Sequence, residues 1–240
     1  MRFALDICPY LVGIPLEVLI LAAMLRGSYR RYPALFVYMA AVFVASLVET
    51  CLYIIGYLDI TWYRDRHVWT QYLKCYWIDE GIMLALEFVV SFSLIRQATE
   101  GASSRRMMRA SVVCSAVLVY AITFRAHYDP TAATGLWMNA WTRDLNFYYA
   151  ILDVGLWAML IGSRARDSRL LLFSGALGIL FTGAAISGSI LDLAVARRSE
   201  ALSYKALSFT GGVVNILSDL AFLYIWWQAL RVREAASRQS

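Results

Sequence analysis

Seven long apolar segments, separated by short charged connections, constrain the fold of this chain more than any other feature. A helix needs about 20 mostly apolar residues to cross the roughly 30 Å hydrocarbon layer of a bilayer. The segments are too long and too uniformly apolar to be strands of a membrane barrel. The sequence therefore predicts an all-α polytopic membrane protein, a bundle of seven transmembrane helices in one domain over 1–240, with spans at about 5–25, 34–58, 75–95, 110–125, 144–161, 170–195 and 206–230.

Composition and charge agree with this class of protein. Hydrophobic residues make up 60% of the 240 residues and charged residues only 16%, whereas soluble domains carry about 25% charged residues. Cytoplasmic loops of membrane proteins are enriched in Lys and Arg. With the N-terminus outside, the cytoplasmic side holds 13 of the 22 basic residues and the outer side 9. We therefore expect an N-out, C-in protein whose net charge of +5 requires no nucleic-acid partner.

Acidic side chains within the apolar segments are the main chemical feature to be explained. A carboxylate at the centre of a membrane helix costs about 2.5–3.5 kcal/mol on insertion scales. By the predicted boundaries no Lys or Arg lies deep in a span. The acids should therefore be protonated, hydrogen-bonded, bound to a cation or open to a water-filled cavity. The expected ligand- or ion-binding residues are Glu17, Glu49, Glu80, Glu87, Asp153, Asp192, Asn215 and Asp219.

Helical spacing indicates where these side chains point. Glu80 and Glu87 are seven residues apart, and Asn215 and Asp219 are one turn apart, so each pair shares a helix face. Such faces should lie inside the bundle because polar groups facing lipid lack partners. The pattern predicts an outward-opening acidic cavity, and the alternative is ordinary hydrogen bonding between helices. Four tryptophans of the long outer connections either form a lid over this cavity or belong to an interfacial aromatic belt: Trp62, Trp69, Trp137 and Trp141.

Two pairs of spans share short sequence patterns. In the first and fifth spans, Glu17-Val18 precedes Ala23-Met24-Leu25 much as Asp153-Val154 precedes Ala158-Met159-Leu160. The third and seventh spans each carry an acid followed nine or ten residues later by Gln-Ala. Parallel repeats of this kind occur in some transporters. The patterns predict a parallel 3+1+3 repeat with the fourth span as its linker.

The C-terminal residues and the cysteines suggest smaller structural features. Trp226 and Trp227, followed by Arg231 and Arg233, are typical of an anchor at the inner membrane interface. The four cysteines lack the spacing of a metal site. They are either buried thiols or include an outer disulfide such as Cys51 with Cys75.

The motifs of known membrane enzymes are missing from the sequence. The two histidines, His67 and His127, both fall in predicted outer connections, which argues against a buried haem or zinc site. Lys205 precedes the last span, so the chain lacks the intramembrane lysine of retinal proteins. We therefore expect no catalytic residues, no metal and no cofactor, and an enzyme is the third of three alternatives.

Two segments carry a resemblance to a known group. The segments are RRYPALFVYMAAVFVASLVE, with Tyr32-Pro33, and CYWIDEGIMLALEFVVSFSLIRQA, with Tyr76-Trp77 and Glu80. This pattern resembles a group of bacterial seven-helix membrane proteins that has no assigned activity, over roughly a third of the chain. Asp79 and Glu87 depart from the group's pattern. The resemblance implies an integral protein of the bacterial inner membrane.

Two functions fit these observations best. The first is a ligand-binding, sensory or accessory membrane protein whose outer cavity holds a small molecule or lipid. The second is a small proton- or cation-coupled transporter that uses the intramembrane carboxylates. The expected partners are membrane lipids, a small-molecule or cation ligand and a membrane partner subunit.

Overall fold

The computed structural model describes residues 2–58, 66–100, 104–131, 134–162, 168–197 and 199–237. Helices account for almost all of these residues, and none of them lies in a strand. Trp62 lies outside the described residues, and only the backbone of Trp69 is described. The described residues form seven α-helices, which are α1 (Arg2–Leu25), α2 (Pro33–Leu58), α3 (Arg66–Ala98), α4 (Arg105–His127), α5 (Thr134–Gly162), α6 (Ser168–Ala196) and α7 (Ala201–Ser237).

Five of the helices contain a stretch long and apolar enough to cross a membrane. These stretches are Pro33–Leu52, Arg105–His127, Gly135–Gly162, Ser168–Ala196 and Leu202–Arg231. Helix α1 contributes a shorter apolar stretch, Tyr10–Leu25. Helix α3 carries three acids, Asp79, Glu80 and Glu87, which lower its mean hydropathy. The length and composition of the helices are those of an integral membrane protein.

Six helices form a closed ring. Helix α1 packs against α2 and α7, α2 packs against α3, α3 against α5, α5 against α6, and α6 against α7. Helix α4 lies outside this ring, where it contacts α5 and α3. The runs α1–α3 and α5–α7 are therefore each made of sequential neighbours. The parallel repeat stays a prediction.

Small residues allow α6 and α7 to pack closely. A Cβ atom at Gly183 would overlap the side chain of Ser218. One turn further along α6, the hydroxyl of Ser187 donates a hydrogen bond of 2.9 Å to the carbonyl oxygen of Gly211. Glycine at such positions lets two helix backbones approach each other. The glycine-rich sequence of α6 thus fixes its contact with α7.

Trp226 is buried among aromatic side chains inside the bundle. Its side chain is 0% exposed, and its indole N–H donates to the carbonyl oxygen of Phe173 at 3.2 Å. Its ring lies 4.5 Å from that of Phe222 and 5.5 Å from that of Phe173, measured between centroids. Trp226 therefore faces the inside of the bundle, and the interfacial anchor stays a prediction. At Trp227, the guanidinium of Arg231 lies over the indole ring.

Candidate functional site

Two of the predicted site residues accept hydrogen bonds between α1 and α2. The hydroxyl of Ser46 donates to Oε1 of Glu17 at 2.9 Å. The hydroxyl of Tyr10 donates to Oε2 of Glu49 at 3.1 Å. Glu17 is buried, and its Oε2 has no hydrogen-bond partner among the described residues. An unpaired buried carboxylate oxygen is costly, so this position is suited to a further hydrogen-bond donor.

Helices α2, α3 and α7 bring further carboxyls together around one tyrosine. The buried Tyr38 donates to Oε1 of Glu87 at 3.3 Å. Tyr38 also interacts electrostatically with Glu80 and Asp219. The amide of Asn215 donates to Oδ2 of Asp219 at 3.1 Å. Tyr38 therefore lies among acids of two other helices.

Repulsion between nearby carboxylates links these groups into one acidic cluster. Glu80 interacts with Glu49 and Asp79, and Glu87 interacts with Glu80 and Asp219. Glu17 joins through Glu49. No described Lys, Arg or His forms an ion pair with these acids. The acidic cluster comprises Glu17, Glu49, Asp79, Glu80, Glu87 and Asp219.

A pair of tyrosines borders the acidic cluster on the side of α4 and α5. The hydroxyls of Tyr120 and Tyr149 form a hydrogen bond. Tyr149 is buried and lies 2.8 Å from the carbonyl oxygen of Leu84, to which its hydroxyl donates. Both tyrosines interact electrostatically with Glu87. Sequence analysis missed the roles of Tyr38 and Tyr120, because a tyrosine in an apolar segment is usually a packing residue.

Asp153 lies apart from the acidic cluster, between α5 and α6. The buried hydroxyl of Ser174 donates to its Oδ1 at 2.7 Å. A Cβ atom at Gly178 would lie 2.5 Å from its Oδ2, so only glycine leaves room for the carboxyl there. These contacts are hydrogen bonds between helices, and Asp153 also lines an open groove of about 700 Å³ formed by α5, α6 and α7.

Asp192 is also separate, and its charge is balanced. The guanidinium of Arg143 forms an ion pair with Asp192, and the amide of Asn139 donates to Asp192 at 2.7 Å. Arg143 also pairs with Asp144 at 2.7 Å, and Asp144 accepts from His127 at 2.7 Å. We call these five residues the ion-pair network.

The ion-pair network corrects the expectation that no basic residue is available at the depth of the acids. The predicted fifth span begins at residue 144, which placed Arg143 in a connection. In the structure α5 begins at Thr134, so Arg143 lies within this helix. Its guanidinium can therefore reach an acid of α6.

A cleft between α2 and α3 exposes part of the acidic cluster. Its volume is about 250 Å³, and it opens at the surface of the bundle. Two carboxyls, Glu49 and Asp79, lie in walls that are otherwise apolar, apart from Tyr76. The other lining residues are Ala41, Val44, Ala45, Val48, Leu52, Ile82 and Met83. The cleft thus combines negative charge with apolar surface.

Two of the predicted lid residues contact α4. The ring of Trp137 packs edge-on against Phe124 and Tyr128, with centroids 5.8 and 5.3 Å apart. The ring of Trp141 packs against Tyr120 and Phe124. Both tryptophans are helical and lie in α5, where the sequence predicted a connection. Their role as a lid stays a prediction.

Two further predictions concern metal ligands and cysteines, and they can be compared with the described part of the chain. There, no group of three His, Cys, Asp or Glu side chains is arranged to hold a metal ion. Cys51 and Cys114 are free thiols. The proposed partner of Cys51 in an outer disulfide is Cys75, whose side chain lies outside the described residues.

Comparisons with known proteins add no family to these observations. No protein-family model, no curated protein and no solved structure matches the chain. The bacterial inner-membrane location therefore stays a prediction. The structural conclusion is an all-helical integral membrane protein in which six carboxyls from four helices form one acidic cluster.

Proposed function

We propose that the protein binds a small amphipathic cation in the cleft between α2 and α3, in a ligand-binding, sensory or accessory role within the membrane. The observation that carries the proposal is the position of Glu49 and Asp79 in an apolar wall. A cationic head placed beside these two carboxylates gains Coulomb energy, and an apolar tail gains by leaving water. With the N-terminus outside, as we propose, the cleft lies in the outer half of the bundle.

The rest of the acidic cluster supports the choice of a cation. Glu80 interacts with both cleft carboxyls, and it links them to Glu87 and Asp219. A positive ligand relieves the repulsion among these groups, and an anion increases it. The apolar lining favours an organic cation over a strongly hydrated metal ion, because the lining supplies few oxygen ligands.

The prediction concerns the double variant Glu49→Gln, Asp79→Asn. Its affinity for the lipophilic cation tetraphenylphosphonium should fall by about tenfold or more, because two carboxylates are lost near the bound charge. Equilibrium dialysis against protein in nanodiscs measures this affinity. Asp153→Asn is the matched control, since it removes a carboxyl that lies outside the cleft.

Two results would contradict the cleft as the binding site. One is an unchanged affinity of the double variant for tetraphenylphosphonium. The other is equal binding of the neutral, similarly shaped tetraphenylmethane and of the cation by the wild-type protein.

A second candidate function is proton-coupled transport. The observation that favours it is the succession of interacting carboxyls from Glu49 through Glu80 to Glu87. Glu80 and Glu87 are two turns apart, about 10 Å along α3. Carboxyls spaced in this way along a membrane helix are typical of proton relays.

For this candidate we predict that Glu87→Gln lowers proton flux by about tenfold or more, because a neutral amide cannot exchange a proton as a carboxyl does. Proteoliposomes loaded with a pH-sensitive dye and exposed to a pH step measure the flux. Asp153→Asn again serves as the control. Equal rates of equilibration in empty liposomes and proteoliposomes would be evidence against a proton pathway through the protein, and they would leave the binding function unaffected.

A further inference from the structure

A second cleft lies on another side of the bundle, between α1 and α7. Its volume is about 130 Å³. It lies where α1 ends at Leu25 and where the apolar stretch of α7 ends at Arg231, six residues before the end of that helix. The lining residues are Leu19, Ala22, Ala23, Arg26, Trp227, Leu230 and Arg231. The first cleft is lined by α2 and α3, so the two clefts share no lining residue.

Two arginines line this second cleft, whereas two carboxyls line the first. Arg26 and Arg231 both line it, and none of its described lining residues is acidic. The guanidinium of Arg231 lies 4.6 Å from the centre of the Trp227 ring. This cation–π contact restrains the side chain and leaves the guanidinium edge available for hydrogen bonds. The mouth of the cleft is therefore suited to a phosphate.

The apolar part of the cleft lies on the membrane side of the two arginines. Leu19 precedes Arg26 by two turns, about 10 Å along α1. Trp227 precedes Arg231 by one turn on α7, which runs in the same direction as α1. Leu19 is 46% exposed, so it offers apolar surface in the direction of the hydrocarbon layer. A ligand here has its charge at the helix ends and its tail deeper in the membrane.

We propose that the cleft between α1 and α7 binds an anionic phospholipid, with the phosphate between Arg26 and Arg231 and an acyl chain along Leu19 and Ala22. Charge complementarity and depth together identify this occupant. Basic pockets between membrane helices near the interface recognise lipid headgroups in this way. The apolar surface below the arginines favours a lipid over a free phosphate ion.

The test uses the full chain in nanodiscs made from equimolar phosphatidylglycerol and phosphatidylcholine. Native mass spectrometry then counts the lipids that remain bound after release of the protein. The wild-type protein should retain phosphatidylglycerol in preference to phosphatidylcholine. In the double variant Arg26→Gln, Arg231→Gln the affinity for phosphatidylglycerol should fall by about thirtyfold, because two basic groups at the membrane surface are lost.

Two further variants separate a specific site from general charge and from misfolding. Arg105→Gln, Arg106→Gln removes two exposed arginines from the start of α4, at the same end of the bundle, and should leave lipid retention unchanged. Ala22→Phe fills the cleft from an exposed position while both arginines stay, and should reduce retention. Size-exclusion profiles and tryptophan emission confirm that each variant is folded.

Three outcomes would overturn the proposal. One is an unchanged phosphatidylglycerol preference in the Arg26 and Arg231 variant. Another is an equal loss of preference in the α4 variant, which would indicate general surface charge. The third is displacement of the lipid by excess inorganic phosphate, which would assign the site to a free anion.

Discussion

Replacing Trp226 with alanine is expected to lower the free energy of unfolding by about 3–5 kcal/mol, the usual cost of removing a large buried aromatic side chain. Trp226 is fully buried between α6 and α7 and contacts the rings of Phe173, Phe222 and Tyr38. The variant leaves a cavity among these rings. It also leaves the carbonyl oxygen of Phe173 without its indole donor. Unfolding in mixed micelles of increasing SDS fraction measures the change.

The neighbouring residue provides the matched control. Trp227→Ala removes the same side chain one position later, where the ring is only partly buried and contacts Arg231. Its expected cost is about 1 kcal/mol or less. Equal destabilisation by the two variants would show that burial of Trp226 in the core is not what stabilises this end of α7.

Replacing Arg143 with methionine is expected to cost about 2–3 kcal/mol. The substitution leaves Asp192 without its cationic partner and Asp144 with only His127. Removal of one partner from a fully buried ion pair costs about 3–5 kcal/mol. The side chains of Arg143 and Asp192 are 23% and 33% exposed, so solvent reduces the effect. The same unfolding titration applies.

A double-mutant cycle identifies the ion pair as the cause. Asp192→Asn in the Arg143→Met background should recover part of the lost stability, because the unpaired carboxylate is then neutral. Arg125→Met, which removes an exposed arginine near the end of α4, should change stability by about 0.5 kcal/mol or less. Additive effects of Arg143→Met and Asp192→Asn would be evidence against a coupled pair.

The long apolar runs were sufficient to predict the helices, but not their ends. The predicted fifth span starts at residue 144, whereas α5 starts at Thr134. Membrane helices continue through the headgroup regions, which widen the bilayer from about 30 Å to about 40–45 Å. The residues there are aromatic and polar, as in the sequence TGLWMNAWTRD. The strongly apolar run that sets the predicted boundary therefore begins later than the helix that contains it.

Spacing along single helices predicted the shared faces but not the partners across helices. Glu80 and Glu87 do share a face, and both join the acidic cluster. Asp153 and Asp192 belong to α5 and α6, which meet each other in the ring, so their partners are Ser174 and Arg143. The sequence pattern predicts which residues share a helix face, but it does not predict the order of the helices around the ring. That order decides which acids meet.

The position of α4 outside the ring has a consequence for how the chain enters the membrane. During synthesis α4 emerges before α5, the helix that covers most of its inner side, so α4 must first tolerate lipid on its own. Its sequence suits this temporary exposure to lipid, since Arg105–His127 contains no Asp or Glu. Helix α3 carries three acids, so it requires earlier helices to shield these side chains from lipid. The order of insertion thus matches the polarity of each segment.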